Sequence, residues 1–388
     1  MKDDTKITHS GRHPFDHHGA VNPPVYHAST ILFPTMKEYS ERGDTAKVRY
    51  GRRGTPTTFA LEDALTALEG DAAAGTAIVP SGLAAITMSL MALVQTGDHI
   101  LITDNSYGPT RNFSNGTLAR FGVEAEYYDP GIGAGIERLI RPNTRLIWLE
   151  SPGSQTFEMQ DVPTIVEIAK AKGVKTLIDN TWSGGYFYKP LSQGVDVSVQ
   201  AGTKYIVAHS DVMLGSITSN EATHEQIYSS AQSFGACSGP DDIYLALRGL
   251  RTMGVRMPRH HESGLAIARW LQERPEVIRV MHPGLPQDPG HELWKRDFTG
   301  ASGLFGFVVD STNPDKAAAM LDGLNFHGMG SSWGGFESLL IPASPEKNRT
   351  ATEWNPGGFT MRIHVGLEDI DDLIADLDAG FDRYNKAG

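Results

Sequence analysis

Lys204 stands in the run Gln200-Ala201-Gly202-Thr203-Lys204-Tyr205, among small and apolar residues and with no acidic residue for several positions on either side. Most lysines are solvated surface groups. One withdrawn from water has a lowered pKa and becomes a nucleophile or a base. Asp179 follows the apolar pair Leu177-Ile178, and Tyr107 lies in Asn105-Ser106-Tyr107-Gly108. Val79-Pro80-Ser81-Gly82-Leu83 reads as strand end, tight turn and helix start. Taken singly, Asp179 reads as a turn cap, Tyr107 as packing and the glycine turn as an ordinary joint. Taken together they offer a phosphate nest at a helix N-terminus, an aromatic face, a carboxylate and a poised amine. That set suits pyridoxal 5′-phosphate (PLP), whose aldehyde joins a lysine and whose pyridinium nitrogen pairs with a carboxylate.

These residues need strands to carry them. Thr55-Pro56 opens a helix that runs to Gly70, because Thr caps and Pro suits the first helical position. Strands are expected at 76 to 79, 99 to 103, 123 to 128, 145 to 149, 175 to 178, 195 to 199 and 212 to 218, with helices from 83 and over 162 to 172. Short apolar strands alternating with helices imply a mostly parallel sheet covered on both faces. In such sheets ligands bind beyond the carboxyl ends of the strands, and the four features fall at or just after such ends. Residues 241 to 273 read as helix, with Gly254 and Pro258 expected to bend or break it. A strand at 304 to 309, a helix at 314 to 321, a strand at 361 to 365 and a last amphipathic helix suggest a smaller α+β domain. Residues 1 to 55 show little periodicity and read as an extended arm. The expected division is therefore 1–55, 56–245 and 246–388.

Composition narrows the function. The 388 residues hold 34 Lys+Arg against 46 Asp+Glu, a net charge of −12. Such a surface disfavours nucleic acid and anionic membranes as partners. Residues 72 to 97 carry no charge, but Pro80, Ser81 and Gly82 divide them into strand and buried helix rather than a membrane span. The single cysteine, Cys237, excludes an internal disulfide and a cysteine zinc site, and reads as a bland, partly buried thiol. His9, His13, His17 and His18 read as a polar arm, so no metal is expected. Gly131-Ile132-Gly133-Ala134-Gly135 has the wrong spacing for a dinucleotide fingerprint. With no apolar leader in Met1 to His13, a cytoplasmic protein is expected.

Longer motifs resemble the Cys/Met-metabolism family of PLP enzymes, of fold type I. They include Tyr50-Gly51-Arg52-Arg53-Gly54-Thr55, Ile178-Asp179-Asn180-Thr181-Trp182, and Thr203-Lys204-Tyr205 with His209-Ser210-Asp211. Ser331-Ser332-Trp333-Gly334-Gly335-Phe336-Glu337-Ser338, His260-His261-Glu262-Ser263 and Trp294 to Gly300 point to its β-lyase branch. The resemblance implies an aspartate aminotransferase-like large domain, a smaller C-terminal α+β domain and an N-terminal arm. It implies a carbon–sulfur lyase of methionine biosynthesis that cleaves cystathionine to homocysteine, pyruvate and ammonia, and acts on other cysteine S-conjugates. Lys204 would attach PLP covalently and then serve as base and acid. Asp179 would meet the ring nitrogen, Tyr107 would stack on the ring, and Gly82, Leu83 and Thr203 would hold the phosphate. Tyr50 and Arg52 would reach the site of a neighbouring subunit, Tyr50 touching substrate as well as cofactor. Arg362, assisted by Ser332, would clamp the substrate carboxylate, and Trp333 would line the pocket. The implied assembly is a homotetramer, a pair of site-sharing dimers.

Three positions depart from the family pattern. Ala201 replaces a serine and removes one possible phosphate contact. Ala208 replaces a glycine, which puts a special backbone angle in doubt. Arg49 replaces an aromatic residue and would favour substrates with a distal carboxylate. The rival readings are a γ-acting relative (cystathionine γ-lyase or γ-synthase) and a non-catalytic PLP-binding regulator. Alanine racemisation is also chemically open. His260 and His261 are expected to be structural.

Overall fold

The computed structural model describes residues 1 to 387. The N-terminal segment carries helices α1 (Asp3–His9) and α2 (Met36–Thr45). The large domain contains α3 (Pro56–Glu69), β1 (Gly75–Val79), α4 (Gly82–Leu93), β2 (His99–Thr103), α5 (Gly108–Phe113), β3 (Glu124–Tyr128), β4 (Thr144–Glu150) and α6 (Val162–Ala171). It continues with β5 (Lys175–Asp179), β6 (Val197–Ala201), β7 (Gly215–Ser219), α7 (His224–Ser233) and α8 (Pro240–Arg251). Then come α9 (Met253–Gln272), β8 (Val277–Met281), α10 (His291–Asp297), β9 (Leu304–Val309), α11 (Pro314–Leu321), β10 (Leu339–Ala343), β11 (Thr360–His364) and α12 (Ile370–Lys386).

The large sheet has seven strands in the order β1-β7-β6-β5-β4-β2-β3. β3, β2, β4, β5 and β6 are parallel, and β7 runs antiparallel between β6 and β1. β2 and β7 are buried along their whole length, as a sheet covered on both faces requires. The small sheet is four-stranded and antiparallel, ordered β10-β11-β9-β8. This is the expected α/β architecture with a second, smaller domain. The uncharged stretch is β1 followed by α4, with Ser81 Oγ accepting from the Ala84 N–H at 3.1 Å to cap the helix.

Several elements differ from expectation for physical reasons. β6 begins at Val197, not Val195, because the Asp196 carboxylate bonds the Thr176 N–H at 2.8 Å and Asn220 Nδ2 at 3.0 Å in place of a ladder partner. The strand therefore ends closer to Lys204. β7 begins at Gly215 rather than Val212, since the Leu214 N–H donates to Thr203 Oγ1 at 2.9 Å and the Thr203 N–H to Leu214 O at 3.1 Å. The long helix breaks at Thr252, whereas Gly254 and Pro258 both lie inside α9. The break falls where Arg256 Nη2 reaches back to satisfy Gly249 O at 2.8 Å. The arm is not extended throughout. α1 is docked by buried Ile7 and by Tyr186 Oη donating to Asp4 Oδ1 at 2.7 Å, and α2 is capped by Thr35. Cys237 is exposed rather than partly buried.

The two domains meet in a shared core where Trp182 and Tyr188 pack against Phe298 and Leu304. Trp182 Nε1 donates to Leu304 O at 2.8 Å. A polar tie lies just past β2, at Asp104, only 1% exposed. Its carboxylate accepts the backbone N–H groups of Thr350, Ala351 and Thr352, both threonine hydroxyls and Arg111 Nη1 at 3.0 Å. Burial alone would raise its pKa, but these donors win and hold it below the usual carboxylate range. Asp104→Ala should therefore cost about 3–5 kcal/mol, because it strands Arg111 and several buried donors. A urea midpoint equal to wild type would contradict this.

Candidate active site

A cleft of about 380 Å³ opens at the carboxyl edge of the parallel strands. β4 and β5 end side by side with Glu150 paired to Asp179 in register. β1 ends at Val79 before the Ser81-Gly82-Leu83 turn, β2 leads into Tyr107, and β6 leads through Gly202 and Thr203 to Lys204. Gly82, Leu83, Tyr107, Asp179, Thr203, Lys204, Trp333 and Arg362 all line the cleft.

Lys204 Nζ donates to Ser332 Oγ at 2.6 Å and stands 5.2 Å from the centre of the Trp333 ring. Burial, and then the Arg362 charge, lower its pKa to about 8, against a weaker opposing pull from Asp179. Its backbone is pinned on both sides, by Lys204 N–H to Ala201 O at 3.0 Å and Ala208 N–H to Lys204 O at 2.8 Å. Ala208 holds φ +65° despite its methyl group, so the backbone angle that a glycine would adopt freely is kept.

Asp179 Oδ1 accepts from the Thr181 N–H at 2.9 Å and from Thr181 Oγ1 at 2.5 Å. Burial raises its pKa, opposed by those bonds and by Lys204. Its second oxygen, Oδ2, takes no protein donor among the described residues. Tyr107 is 44% exposed, and burial followed by Asp179 and Glu150 raises its pKa, so it stays a neutral phenol. Gly82 lies so close to Ala201 that a Cβ would stand 2.5 Å from the alanine methyl, which leaves the start of α4 accessible through backbone alone. Thr203 Oγ1 exchanges hydrogen bonds with Leu214 at 3.1 and 2.9 Å, so its hydroxyl is already in use within the turn.

Arg362 reaches in from β11 of the small domain. Its Nη2 donates to Ser331 O at 3.2 Å and Ser332 O at 3.1 Å, while Nη1 and Nε meet no protein acceptor among the described residues. The fork is therefore steadied on one side and open on the other. The Ser332 carbonyl steadies Arg362, and its hydroxyl faces Lys204.

Tyr50 and Arg52 are not brought to this cleft. Tyr50 is 47% exposed beside Ser29, and Arg52 Nη1 donates to Gln232 O at 2.7 Å. Arg49 Nε bonds Ala46 O at 2.8 Å and faces a separate cleft of about 700 Å³ along the arm. His260 Nδ1 bonds Val365 O at 2.9 Å and His261 Nδ1 accepts the Ala301 N–H at 3.0 Å, as structural histidines would. Glu150 was not singled out in the sequence. It is 8% exposed, accepts the Tyr107 N–H through Oε2 at 2.8 Å and lines the cleft. The rule that drew attention to Asp179, an acid at the carboxyl end of a buried strand, applies equally to it.

The donor set fits PLP. A carboxylate with an open oxygen suits a ring N–H, a neutral-prone amine suits an aldehyde, and the N-terminus of α4 suits a phosphate.

The family model for Cys/Met metabolism PLP-dependent enzymes matches residues 4–382. The cystathionine beta-lyase of Escherichia coli is 44% identical, over 98% of this chain and 98% of its own. That of Haemophilus influenzae is 42% identical with the same coverage of both. The crystal structure of cystathionine gamma synthase from Xanthomonas oryzae pv. oryzae, in complex with aminoacrylate and cysteine, superposes with a TM-score of 0.92 at 30% identity, covering 100% of both chains. With this cleft and these matches, the chain belongs to the Cys/Met-metabolism family of PLP-dependent enzymes.

Proposed function

We infer that this protein is a cystathionine β-lyase, a PLP-dependent carbon–sulfur lyase that releases homocysteine, pyruvate and ammonia. The observation that carries the chemistry is the desolvated Lys204 amine between Asp179 and the Arg362 fork. The choice of β-elimination rests on full-length β-lyase relatives at 44% and 42% identity.

The residue roles are part of the same reading. Bound PLP supplies an electron sink for the pair left when Cα loses its proton. Asp179 Oδ2 would meet the ring nitrogen and keep its proton in place, which would also offset the cost of burying that carboxylate. Tyr107 would stack on one face of the ring, and the backbone of Gly82 and Leu83 would hold the phosphate, with Thr203 fixing the turn beside it through its bonds to Leu214. Arg362 presents its open nitrogens to the substrate carboxylate as a two-pronged donor that lysine cannot copy. Lys204, with its amine free, would take the proton from Cα. The carbon–sulfur bond would break with its electron pair going to sulfur while the Cα pair forms a double bond to Cβ, the Lys204 ammonium would return a proton to that sulfur, and water would hydrolyse the released enamine to pyruvate and ammonia. Trp333 lines the wall beside Nζ.

Tyr50 and Arg52 lie outside their own chain's cleft, which supports their acting on a neighbouring subunit. Leu83 at 42% and Met213 at 61% exposure leave an apolar rim for that neighbour to cover. The same reading makes the protein a homotetramer of site-sharing dimers. Its cytoplasmic placement is supported by the single cysteine, and no helix among the described residues is long and apolar enough to cross a membrane.

Purified protein should be yellow and should form pyruvate from cystathionine. Production of 2-oxobutyrate instead would favour the γ-acting alternative. Lys204→Ala should lower turnover at least ~10²–10⁴-fold. Arg362→Lys should lower kcat/KM roughly ten- to a hundredfold, the worth of a charge-assisted contact. Mixed oligomers of Lys204→Ala and Arg52→Ala chains should regain activity that neither parent has, and no recovery would refute the shared site.

Proton linkage gives a separate test. Only the neutral amine attacks an aldehyde, and Lys204 sheds its proton near pH 8 instead of the ordinary 10.5. The rate at which stripped enzyme takes up PLP should rise with pH and level off above about 8. Arg362→Gln should move that plateau to higher pH, because the guanidinium charge helps to lower the amine's pKa. A flat profile from pH 6 to 9 would contradict the assignment.

A further inference from the structure

Glu150 is placed to touch two parts of the cleft at once. It ends β4 directly opposite Asp179 at the end of β5, and its Oε2 accepts the Tyr107 N–H at 2.8 Å, fixing the loop that turns into α5. Its backbone N–H donates to Gln160 Oε1 at 3.0 Å, so the strand end carrying it is itself held. We propose that Glu150 is a positioning residue: its carboxyl sets the Tyr107 ring over the cofactor and leaves Asp179 as the acid that meets the ring nitrogen. This rests on the PLP-enzyme reading above.

The two acids have different surroundings. Asp179 receives two donors from Thr181 and has Lys204 nearby, all of which favour its anion. Glu150 is buried and receives the Tyr107 N–H. Two carboxylates side by side in low dielectric do not both ionise readily, and the one that Lys204 does not draw toward its anion keeps the proton. Burial first, and Asp179 second, accordingly push Glu150 well above the usual carboxylate range. The other charged or titratable groups around it are Tyr107, Lys204 and Arg362, which come from three different elements. A second anion beside Asp179 would place two negative charges against a single ring N–H.

Two conservative variants separate shape from charge. Glu150→Gln keeps the acceptor, the length and the neutrality. Glu150→Asp keeps the acid but draws it back from the Tyr107 N–H. The readouts are the PLP dissociation constant, from absorbance titration of stripped enzyme, and the visible circular dichroism of the bound cofactor, which reports how Tyr107 stacks. Glu150→Gln should bind PLP within about threefold of wild type with an unchanged dichroic band. Glu150→Asp should bind about tenfold more weakly, the worth of one lost hydrogen bond, with a reduced band. Weakened binding by Glu150→Gln would show that the charge matters and overturn the proposal. Wild-type behaviour of Glu150→Asp would show that the Tyr107 contact does not matter and overturn it equally. Wild-type protein that binds no PLP would instead refute the underlying functional reading.

Discussion

An amine held partly out of water, with a guanidinium pushing its proton off and a carboxylate pulling it back, is the arrangement to which the surrounding structure is fitted. Lys204 bears that tension only because its backbone cannot move away. Hydrogen bonds on either side, to Ala201 O and from the Ala208 N–H, fix its position after β6. The loop of Trp333 closes over it through Gly334, at φ +86°, where a Cβ would come within 3.0 Å of the Lys204 main chain. Glycine is required there by both conformation and space.

The fold divides the work between its two sheets. The parallel sheet brings the ends of β1, β2, β4, β5 and β6 to one edge and so supplies the turn, the aromatic ring, both acids and the lysine. The antiparallel sheet supplies Arg362 from β11. Neither set is useful unless the domains keep their spacing, and that spacing depends on the Trp182–Leu304 contact and on the Asp104 carboxylate gathering the 350–352 backbone. A single buried acid thus couples the strand before Tyr107 to the segment that precedes the strand of Arg362.

Much of this was legible in the residues because it follows periodicity and strand ends. The alternation of short apolar runs with helices gave the parallel sheet, and the carboxyl-end rule led to Gly82, Tyr107, Asp179 and Lys204. What escaped lacked such a signal. α2, Met-Lys-Glu-Tyr-Ser-Glu-Arg-Gly-Asp-Thr, has no apolar face to announce it. The break falls at Thr252, where the Thr252 N–H and hydroxyl and Arg256 Nη2 all satisfy Gly249 O, a local contact that neither of the usual breakers, Gly254 and Pro258, announces. Ser332 turned toward Lys204 because the loop geometry, not its residue type, decides which end of a serine meets which partner. Arg362 and Trp333 were identified from the family resemblance alone, since nothing in their local spacing marks them.

The departures at Ala201 and Ala208 show how far such a site tolerates substitution. A non-glycine residue in the left-handed region costs roughly 1–2 kcal/mol. At Ala208 that cost is offset by a buried methyl, 1% exposed, and by the N–H bond to Lys204 O. Strain of this kind persists where neighbours over-determine the backbone, and here they are the turn that presents the lysine and the helices beneath it. Ala201 sits methyl-to-backbone against Gly82, so the start of α4 is held by close packing where a hydroxyl would otherwise add a donor. Phosphate affinity at this turn then depends on the helix N-terminus and its exposed N–H groups more than on side chains. That dependence ties cofactor binding to the exact seating of α4 on the sheet, and hence to the same packing that fixes Lys204.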